Sequence, residues 1–418
     1  MNGFMRGLLL AALLAIALAL AGCGGGEDSD SSGVLAPTAV VQPLPMPGPY
    51  TVACSNIKQN FGSLSVSEVE RYWEGDGGLY VTDLLDDQAN TLIATVIAPS
   101  DEDLFGSFAG QAKEFVVLVC YPTTGINPYP DYSLPTGEIV PHMQTGTQTP
   151  LFYDYLHKYP AVVFSHGYTG SPISSDDYLL AITTCASYGY VVIAPFHGDL
   201  RFCDLHIEDI EDVAKVVLKL DDFTAVQALR PLAVSAALNL VLNHPQWKDH
   251  IDETRIGGFG ASMGGETMLL LGGARLTVTN SIIGGDWEFD SKQVTYDPRI
   301  KAAAGYVPYF GQSFLPAFGE DQEGLTGISL PFLGISGTAD TTAPIYMAES
   351  GMSRLTGTRR LVALSGVEHG FDDAFTNDIF TWALTFLDAK VRETAEAISR
   401  LNTMGSVAGG GDDSLWLY

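Results

Sequence analysis

Positively charged residues are scarce in this chain of 418 residues, which has 21 lysines and arginines against 49 aspartates and glutamates. The formal net charge at pH 7 is −28. Because so negative a surface repels phosphate, the composition argues against nucleic acid as a partner and disfavours polyanionic substrates. Hydrophobic residues make up 46% of the chain, which is typical of a globular protein and not of a disordered one.

Long hydrophobic runs are missing after the N-terminus; the apolar stretch from Leu232 to Leu242 is too short for a membrane span. Residues 1–21 combine one arginine, an apolar run from Leu8 to Leu20 and small residues, which is the layout of a secretory signal. That run is also shorter than a membrane span of roughly 20 apolar residues. We therefore predict that the chain is exported.

The residues before Cys23 read Leu-Ala-Gly, which resembles a bacterial lipobox. In lipoproteins of that kind the signal is cut before the cysteine, which then carries the lipid. The resemblance implies a signal peptide over residues 1–22, lipidation of Cys23 and a flexible tether over residues 23–49. It also implies a cell-envelope lipoprotein at the outer membrane or cell surface. An ordinary signal peptide with an incidental cysteine is the alternative.

Cysteine is rare as well, with five in the chain and no C-x-x-C or other metal-ligand spacing, so we expect no metal and no cofactor. Four cysteines remain besides Cys23, an even number in an oxidising setting. Three pairings are possible, and we favour the two that are local in the chain, Cys54 with Cys120 and Cys185 with Cys203. Four buried free thiols are the alternative.

Residues 50–418 are expected to form one α/β domain, with an extension of antiparallel strands over residues 50–114 and a catalytic core over residues 115–400. From Tyr159 onward, short apolar strands alternate with helices, which predicts a mostly parallel sheet covered by helices on both faces. Active sites of such sheets lie at the carboxyl ends of the strands. The strand candidates are Leu92–Ile97, Phe115–Tyr121, Ala161–Phe164, Val191–Pro195, Arg255–Phe259, Ile300–Val307, Phe332–Ser336 and Arg360–Leu364. The helix candidates are Asp177–Ser187, Ala225–Asn243, Glu266–Leu271 and a closing helix or helix pair over Asn377–Arg400.

Ser262 lies in the motif Gly260-Ala261-Ser262-Met263-Gly264, between a strand candidate and a buried helix candidate. This G-x-S-x-G pattern places a serine on a sharp turn where glycines avoid collisions across the bend. A serine becomes a strong nucleophile only when a neighbouring base removes its proton. We predict Ser262 as a nucleophile that needs a histidine.

His369 is the only histidine after Ser262, and it lies in a turn-rich loop behind the strand candidate Arg360–Leu364. The order serine, acid, histidine along the chain therefore makes His369 the predicted base. Asp340 follows the preceding strand candidate and is the predicted acid that orients the imidazole. The alternative role of Asp340 is to cap a turn, and Glu368 and Asp372 are rival acids.

An oxyanion hole needs backbone N–H groups directed at the charge that develops on the substrate oxygen. One donor is expected from Met263, directly after the nucleophile, and the other from Tyr168 in the loop after an early strand. His166 in that loop is predicted to hold it by hydrogen bonds.

These motifs, taken in order, resemble the α/β-hydrolase superfamily over roughly residues 115–395. Within it the chain is similar to dienelactone-hydrolase-like and platelet-activating-factor-acetylhydrolase-like esterases, and around Tyr168 and Met263 to cutinase-like polyester hydrolases. The resemblance implies the α/β-hydrolase fold, the three catalytic residues and a substrate site that includes Tyr168 and Met263. Phe371 is predicted at the rim of the same pocket. Further aromatic rim candidates are Trp287, Phe310 and Phe314, for which a place in the core is the alternative. The acidic stretch from Asp199 to Asp222 matches no part of the pattern.

The predicted function is a serine carboxylic-ester hydrolase for hydrophobic esters, including lipids or polyesters, which meets the membrane through its lipid anchor. A serine peptidase or amidase with the same fold is one alternative. A binding lipoprotein that retains the three residues without activity is the other.

Overall fold

The computed structural model describes residues 37–417 except 56, 58–78, 135–136, 146–147, 206–218, 284–285 and 314. The predicted signal peptide, Cys23 and the first part of the predicted tether lie outside the described residues. The side chains of residues 79, 176 and 279–288 are also not described.

Ten strands of the described chain form one large sheet. In chain order they are β1 (Thr51–Cys54), β2 (Ile93–Ile97), β3 (Ala112–Thr123), β4 (Tyr159–Ser165), β5 (Val191–Pro195), β6 (Ile251–Ala261), β7 (Ile300–Tyr306), β8 (Phe332–Gly337), β9 (Arg359–Leu364) and β10 (Asp413–Leu417).

The middle of this sheet is parallel. Its neighbours run in the order β5, β4, β6, β7, β8 and β9. Antiparallel strands complete both edges, with β3 beside β5, β1 and β2 beside β3, and β10 beside β9. The structure thus confirms the α/β class and the antiparallel N-terminal extension.

Eight α-helices belong to the described residues. They are α1 (Leu79–Asp86), α2 (Glu102–Phe105), α3 (Asp176–Ser187), α4 (Leu220–Asn243), α5 (Met263–Leu271), α6 (Ile345–Ser353), α7 (Thr376–Leu387) and α8 (Ala395–Thr403). One core lies between the sheet and α4, α5 and α6, and a second lies between the opposite face of the sheet and α1, α3, α7 and α8. Alternate strand residues enter the two cores, as Val191 and Val192 do, so the predicted two-sided cover is confirmed.

α4 is the one helix among the described residues that is long and apolar enough to cross a membrane. Its apolar window is 72% buried, however, which is typical of the core helix of a globular protein. The prediction of a closing helix pair agrees with α7 and α8, which are separated by a π-helical turn, Asp388–Arg392, and by Glu393 in left-handed backbone.

Several smaller elements were not expected from the sequence. Strands Arg275–Ile283 and Asp286–Gln293 form an antiparallel hairpin, and two-residue strand pairs join Tyr132–Ser133 to Ile139–Val140 and Gly311–Gln312 to Leu315–Pro316. The C-terminal strand β10 closes one edge of the sheet, beyond the predicted core boundary at residue 400.

The cysteine prediction is right for one pair and wrong for the other. Cys54 and Cys120 face each other on β1 and β3 and form a disulfide. Cys185 and Cys203 are both free and buried. The reason is that Cys185 is a residue of α3 and lies in the core on that side of the sheet, whereas Cys203 lies in the core on the opposite face.

The described part of the predicted tether is packed against the domain. Ala39–Val41 pairs in parallel with the strand Met404–Val407. The Leu44 amide donates to Thr381 Oγ1 at 3.0 Å, and the Gly48 amide donates to Ser187 Oγ at 2.8 Å. Val41, Leu44 and Met46 also pack on the core below, and their burial explains why this stretch is not a free linker.

Candidate active site

The carboxyl ends of β4, β6, β8 and β9 meet at one edge of the sheet, where Ser262 connects β6 to α5. Its backbone has φ 52° and ψ −119°, a strained conformation for a residue with a side chain. The turn is fixed on both sides, since the Ser262 amide donates to Tyr306 O at 2.9 Å and the Gly265 amide donates to Ser262 O at 2.8 Å. The structure therefore has the sharp strand-to-helix turn that the motif predicts.

The glycines of this turn are required by close backbone contacts. A Cβ on Gly260 would lie 2.1 Å from Gly264 O, and a Cβ on Gly264 would lie 1.9 Å from Ser165 O. The first turn of α5 is thus pressed directly onto the end of β4, where the predicted oxyanion loop begins.

The three predicted catalytic side chains are brought together. Ser262 Oγ lies 2.9 Å from His369 Nε2, and His369 Nδ1 lies 2.8 Å from Asp340 Oδ2. The side chain of Asp340 is fully buried, whereas that of His369 is 30% exposed. This geometry allows the imidazole to take a proton from the serine while the carboxylate holds its other nitrogen.

Asp340 also has the capping role that the sequence left open. Its Oδ1 accepts hydrogen bonds from the amides of Thr342 at 2.8 Å and Ala343 at 2.7 Å, which leaves Oδ2 for the histidine. Of the rival acids, Glu368 is exposed, and Asp372 Oδ1 accepts from the amide of Ala374. The two backbone hydrogen bonds to Oδ1 hold the carboxylate in the orientation in which its Oδ2 contacts the imidazole.

The loop after β4 reaches Ser262 from the other side. A Cβ on Gly167 would lie 3.6 Å from Ser262 Cβ, so Gly167 and Tyr168 border the serine directly. Within the described part of the chain, neither the Tyr168 amide nor the Met263 amide has a hydrogen-bond acceptor. The Tyr168 hydroxyl donates to Leu205 O at 2.9 Å, which anchors the loop. Both predicted donors are thus placed beside Ser262.

A buried ion pair between Arg230 of α4 and Asp199 braces this loop. Arg230 Nε donates to Asp199 Oδ1 at 2.9 Å, and Nη2 pairs with Oδ2. The same guanidinium donates to the carbonyls of His166 at 2.7 Å and Gly167 at 2.8 Å. Asp199 Oδ2 also accepts from the Thr169 amide at 3.0 Å. Each of the two side chains is 1% exposed, so the pair is shielded from water and salt.

Sequence reasoning missed both residues of this ion pair. Asp199 begins the stretch that matched no part of the hydrolase pattern, and Arg230 lies within the predicted helix Ala225–Asn243. The one available signal was that Arg230 is the only charged residue in a mostly apolar predicted helix, since a charge buried there requires a partner.

His166 has the structural role predicted for it, together with a second histidine. His166 Nδ1 lies 2.8 Å from Gly167 O, and its Nε2 accepts from the His197 amide at 3.1 Å. Ser165 Oγ is 2.8 Å from His197 Nε2. Burial, and then the charge of Arg230, hold the pKa of both histidines well below the usual value, so both rings are neutral near pH 7.

Glu266 lies one helical turn after Ser262 and is completely buried. Its Oε1 accepts from Gln227 Nε2 at 2.7 Å, whereas its Oε2 has no hydrogen-bond partner among the described residues. Burial raises the pKa of this carboxyl to about 8, against the opposing effect of Arg230. The group is therefore mostly protonated at neutral pH.

The serine opens into a cavity of about 580 Å³. Predicted substrate residues Tyr168, Met263 and Phe371 all line it. Phe310 occupies the alternative position, in the core, where it is buried against Phe318 and Phe332 and does not reach the rim. The Trp287 side chain and Phe314 lie outside the described residues. The other lining residues are Phe164, Gly167, Thr169, Gly170, Ser174, Ser175, Asp177, Tyr178, Ala181, Phe223, Phe259, Ala261, Tyr306, Val307, Tyr309, Thr342, His369, Gly370, Ile379 and Phe380.

No protein-family model and no curated protein matches this chain. Among the described residues there is also no group of three or more histidine, cysteine, aspartate or glutamate side chains that could hold a metal ion. The function of the site must therefore be inferred from its geometry, which brings Ser262, His369, Asp340 and two backbone N–H groups without an acceptor among the described residues together at the mouth of the cavity.

Proposed function

We propose that the protein is a serine carboxylic-ester hydrolase with the α/β-hydrolase fold. The observation that carries this proposal is the continuous chain of contacts from Ser262 Oγ through His369 to Asp340. The position of the serine on a turn between a central parallel strand and a helix supports the fold assignment.

In the proposed reaction, Ser262 Oγ attacks the ester carbonyl carbon while His369 Nε2 takes the hydroxyl proton. Asp340 stabilises the imidazolium through Nδ1–H. The oxyanion accepts hydrogen bonds from the Tyr168 and Met263 amides, and each such donor typically contributes about 2.7–4 kcal/mol of barrier lowering. The intermediate then expels the alcohol, which receives the proton from His369. Water, deprotonated by His369, then attacks the acyl carbon that is bonded to Ser262 Oγ. The bond to Ser262 Oγ breaks, the acid is released, and His369 returns the proton to Ser262 Oγ.

The cavity supports hydrophobic esters as substrates, including lipids or polyesters. Its wall contains the rings of Phe164, Phe259, Phe371 and Phe380. Apolar walls of this kind bind alkyl or aryl groups by removing their surface from water.

The experiment compares hydrolysis of p-nitrophenyl butyrate with that of the matched p-nitroanilide by the wild type and by Ser262→Ala. Turnover of the ester well above the anilide, lost in the variant, is the expected result. A faster anilide reaction would favour a peptidase or amidase. Equal rates for the two proteins would indicate a binding protein without serine catalysis.

The Cys54–Cys120 disulfide is consistent with export to an oxidising compartment. We further propose attachment to the cell envelope through a lipid on Cys23. Palmitate incorporation into the wild type that persists in Cys23→Ser would contradict this anchor.

A further inference from the structure

We propose, on the basis of the hydrolase function above, that the enzyme prefers esters that join a short acyl group to an alcohol with an aromatic ring. The active-site cavity has one lobe on each face of the sheet, and the two lobes differ in depth and in which half of the ester they receive. Phe223 is the residue that limits the size of the acyl group.

The apolar lining of the cavity comes from both cores, so the cavity extends over both faces of the sheet at its catalytic edge. The α7 lobe lies on the face that carries α3 and α7, and its rings are those of Phe164, Tyr178, Phe259, Tyr306, Phe371 and Phe380. The α4 lobe lies on the face that carries α4 and α5, and its side chains are those of Tyr168, Phe223, Met263 and Tyr309. Ser262 follows the central strand β6 and therefore lies between the two lobes.

The α7 lobe adjoins the loop of His369. The Tyr306 hydroxyl donates to Gly370 O at 2.8 Å, and the ring centroid of Phe371 lies 5.7 Å from that of Tyr306 and 6.3 Å from that of Phe380. The departing alcohol oxygen takes its proton from His369 Nε2, so it must lie on this side of the acyl carbon. The rest of the alcohol then enters the α7 lobe, whose rings offer faces and edges to an aromatic group.

The α4 lobe adjoins the oxyanion donors. It contains the side chains of Tyr168 and Met263, and the Tyr309 amide donates to Ser262 O at 3.0 Å. The acyl substituent and the departing oxygen point in different directions from the tetrahedral carbon. Because the departing oxygen lies towards His369, the acyl substituent points into the α4 lobe.

Phe223 and Tyr309 limit the depth of the α4 lobe. The rings of Phe223 and Tyr168 have centroids 5.4 Å apart, and the Tyr168 hydroxyl is held on Leu205 O. Phe223 and Tyr309 also line a second cavity of about 10 Å³, which has room for about one water molecule. The two rings thus separate the lobe from a void that is too small for an alkyl chain or a ring.

The test compares naphthylmethyl acetate with methyl naphthylacetate, two isomers that carry the same ring on the alcohol side or on the acyl side. For each isomer kcat/KM is divided by the rate constant of its alkaline hydrolysis, which removes intrinsic reactivity. The quotient for the acetate over that for the methyl ester is the isomer ratio. It does not depend on the folded fraction, because both isomers are measured on one preparation. The proteins are the wild type, Phe223→Ala and Phe105→Ala. Phe105 ends α2, is buried in the same core as Phe223 and lines neither cavity, so its variant is the matched control.

We expect an isomer ratio of roughly ten or more for the wild type, because a ring on the acyl side collides with Phe223 and Tyr309. Phe223→Ala should lower the ratio roughly tenfold by making room for the acyl ring, and Phe105→Ala should leave it unchanged. A wild-type ratio near or below one, no change in Phe223→Ala, or an equal fall in the two variants would overturn the inference. So would hydrolysis of p-nitrophenyl butyrate but of neither isomer, and in all these cases the hydrolase function stands. Failure of the wild type to hydrolyse any of the three esters would overturn both.

Discussion

The two loops that flank Ser262 differ in how they are held. The oxyanion loop rests on buried groups, because Arg230 and Asp199 bind its carbonyls and the Thr169 amide, and a buried His166 spans it. His369 lies in a loop at the surface, its side chain is 30% exposed, and its ring contacts Asp340.

The difference matches what each loop does in the proposed reaction. Oxyanion donors act only if they already point at the place where charge develops, so a rigid support is an advantage. The imidazole must accept a proton from the serine and pass it to the departing alcohol, and it needs orientation by a single carboxylate more than immobility.

The largest effect is expected from a pair of glycine substitutions that compares the two loops. Gly264→Ala places a Cβ 1.9 Å from Ser165 O and forces α5 away from the oxyanion loop, whereas Gly370→Ala beside His369 meets nothing within 4 Å. We expect Gly264→Ala to lower kcat/KM about a hundredfold or more and to destabilise the fold by ~1–3 kcal/mol.

Gly370→Ala should change both quantities little. Ester kinetics and chemical denaturation of the two variants provide the measurement. Similar losses of kcat/KM and stability in the two variants would show that the two loops are equally tightly packed, which would contradict the difference between them.

Arg230→Lys is expected to have the next largest effect. Lysine keeps the charge but loses the planar fork that holds Asp199 and two loop carbonyls together. Because the loop acts on the transition state, kcat should fall roughly tenfold to a hundredfold while KM changes little.

Arg299→Lys is the matched control, since Arg299 forms a similar fork with Asp297 near the start of β7, away from Ser262. Steady-state kinetics of both variants test the prediction. An unchanged kcat in a folded Arg230→Lys protein would show that the ion pair is not needed to hold the oxyanion loop in its active position.

The smallest effect on activity is expected for Glu266→Gln, which instead changes the pH dependence of stability. The folded-state pKa of about 8 lies above the ordinary value of 4.5, so the protonated acid favours folding. This contribution is complete below pH 4.5 and is lost as the pH rises towards about 8. The free energy of unfolding of the variant, relative to that of the wild type, should therefore increase between these pH values.

Denaturant titrations at several pH values measure this difference. A difference that stays constant over the range would contradict a raised pKa for Glu266.

The sequence allowed much of this site to be predicted, for reasons that particular residues show. Ser262, Asp340 and His369 follow separate strands, and parallel strands bring their carboxyl ends to one edge, so chain order was enough to bring them together. The turn at Ser262 could be predicted from the local pattern of glycines alone.

The features that could not be predicted depend on which face of the sheet a residue occupies or on partners that are distant in the sequence. Cys185 and Cys203 are near in sequence but lie on opposite faces, which spacing does not reveal. Arg230 and Asp199 are 31 residues apart and their pairing follows from the packing of α4. The segment Ala39–Val41 looked like linker because its partner strand is at the other end of the chain.

The central claim is that Ser262 is an activated nucleophile, and covalent labelling by a fluorophosphonate tests it most directly. Intact mass and peptide mapping after exposure should show one adduct, on Ser262, in the wild type and none in Ser262→Ala. No adduct on the folded wild type, or the same adduct on the variant, would contradict the account.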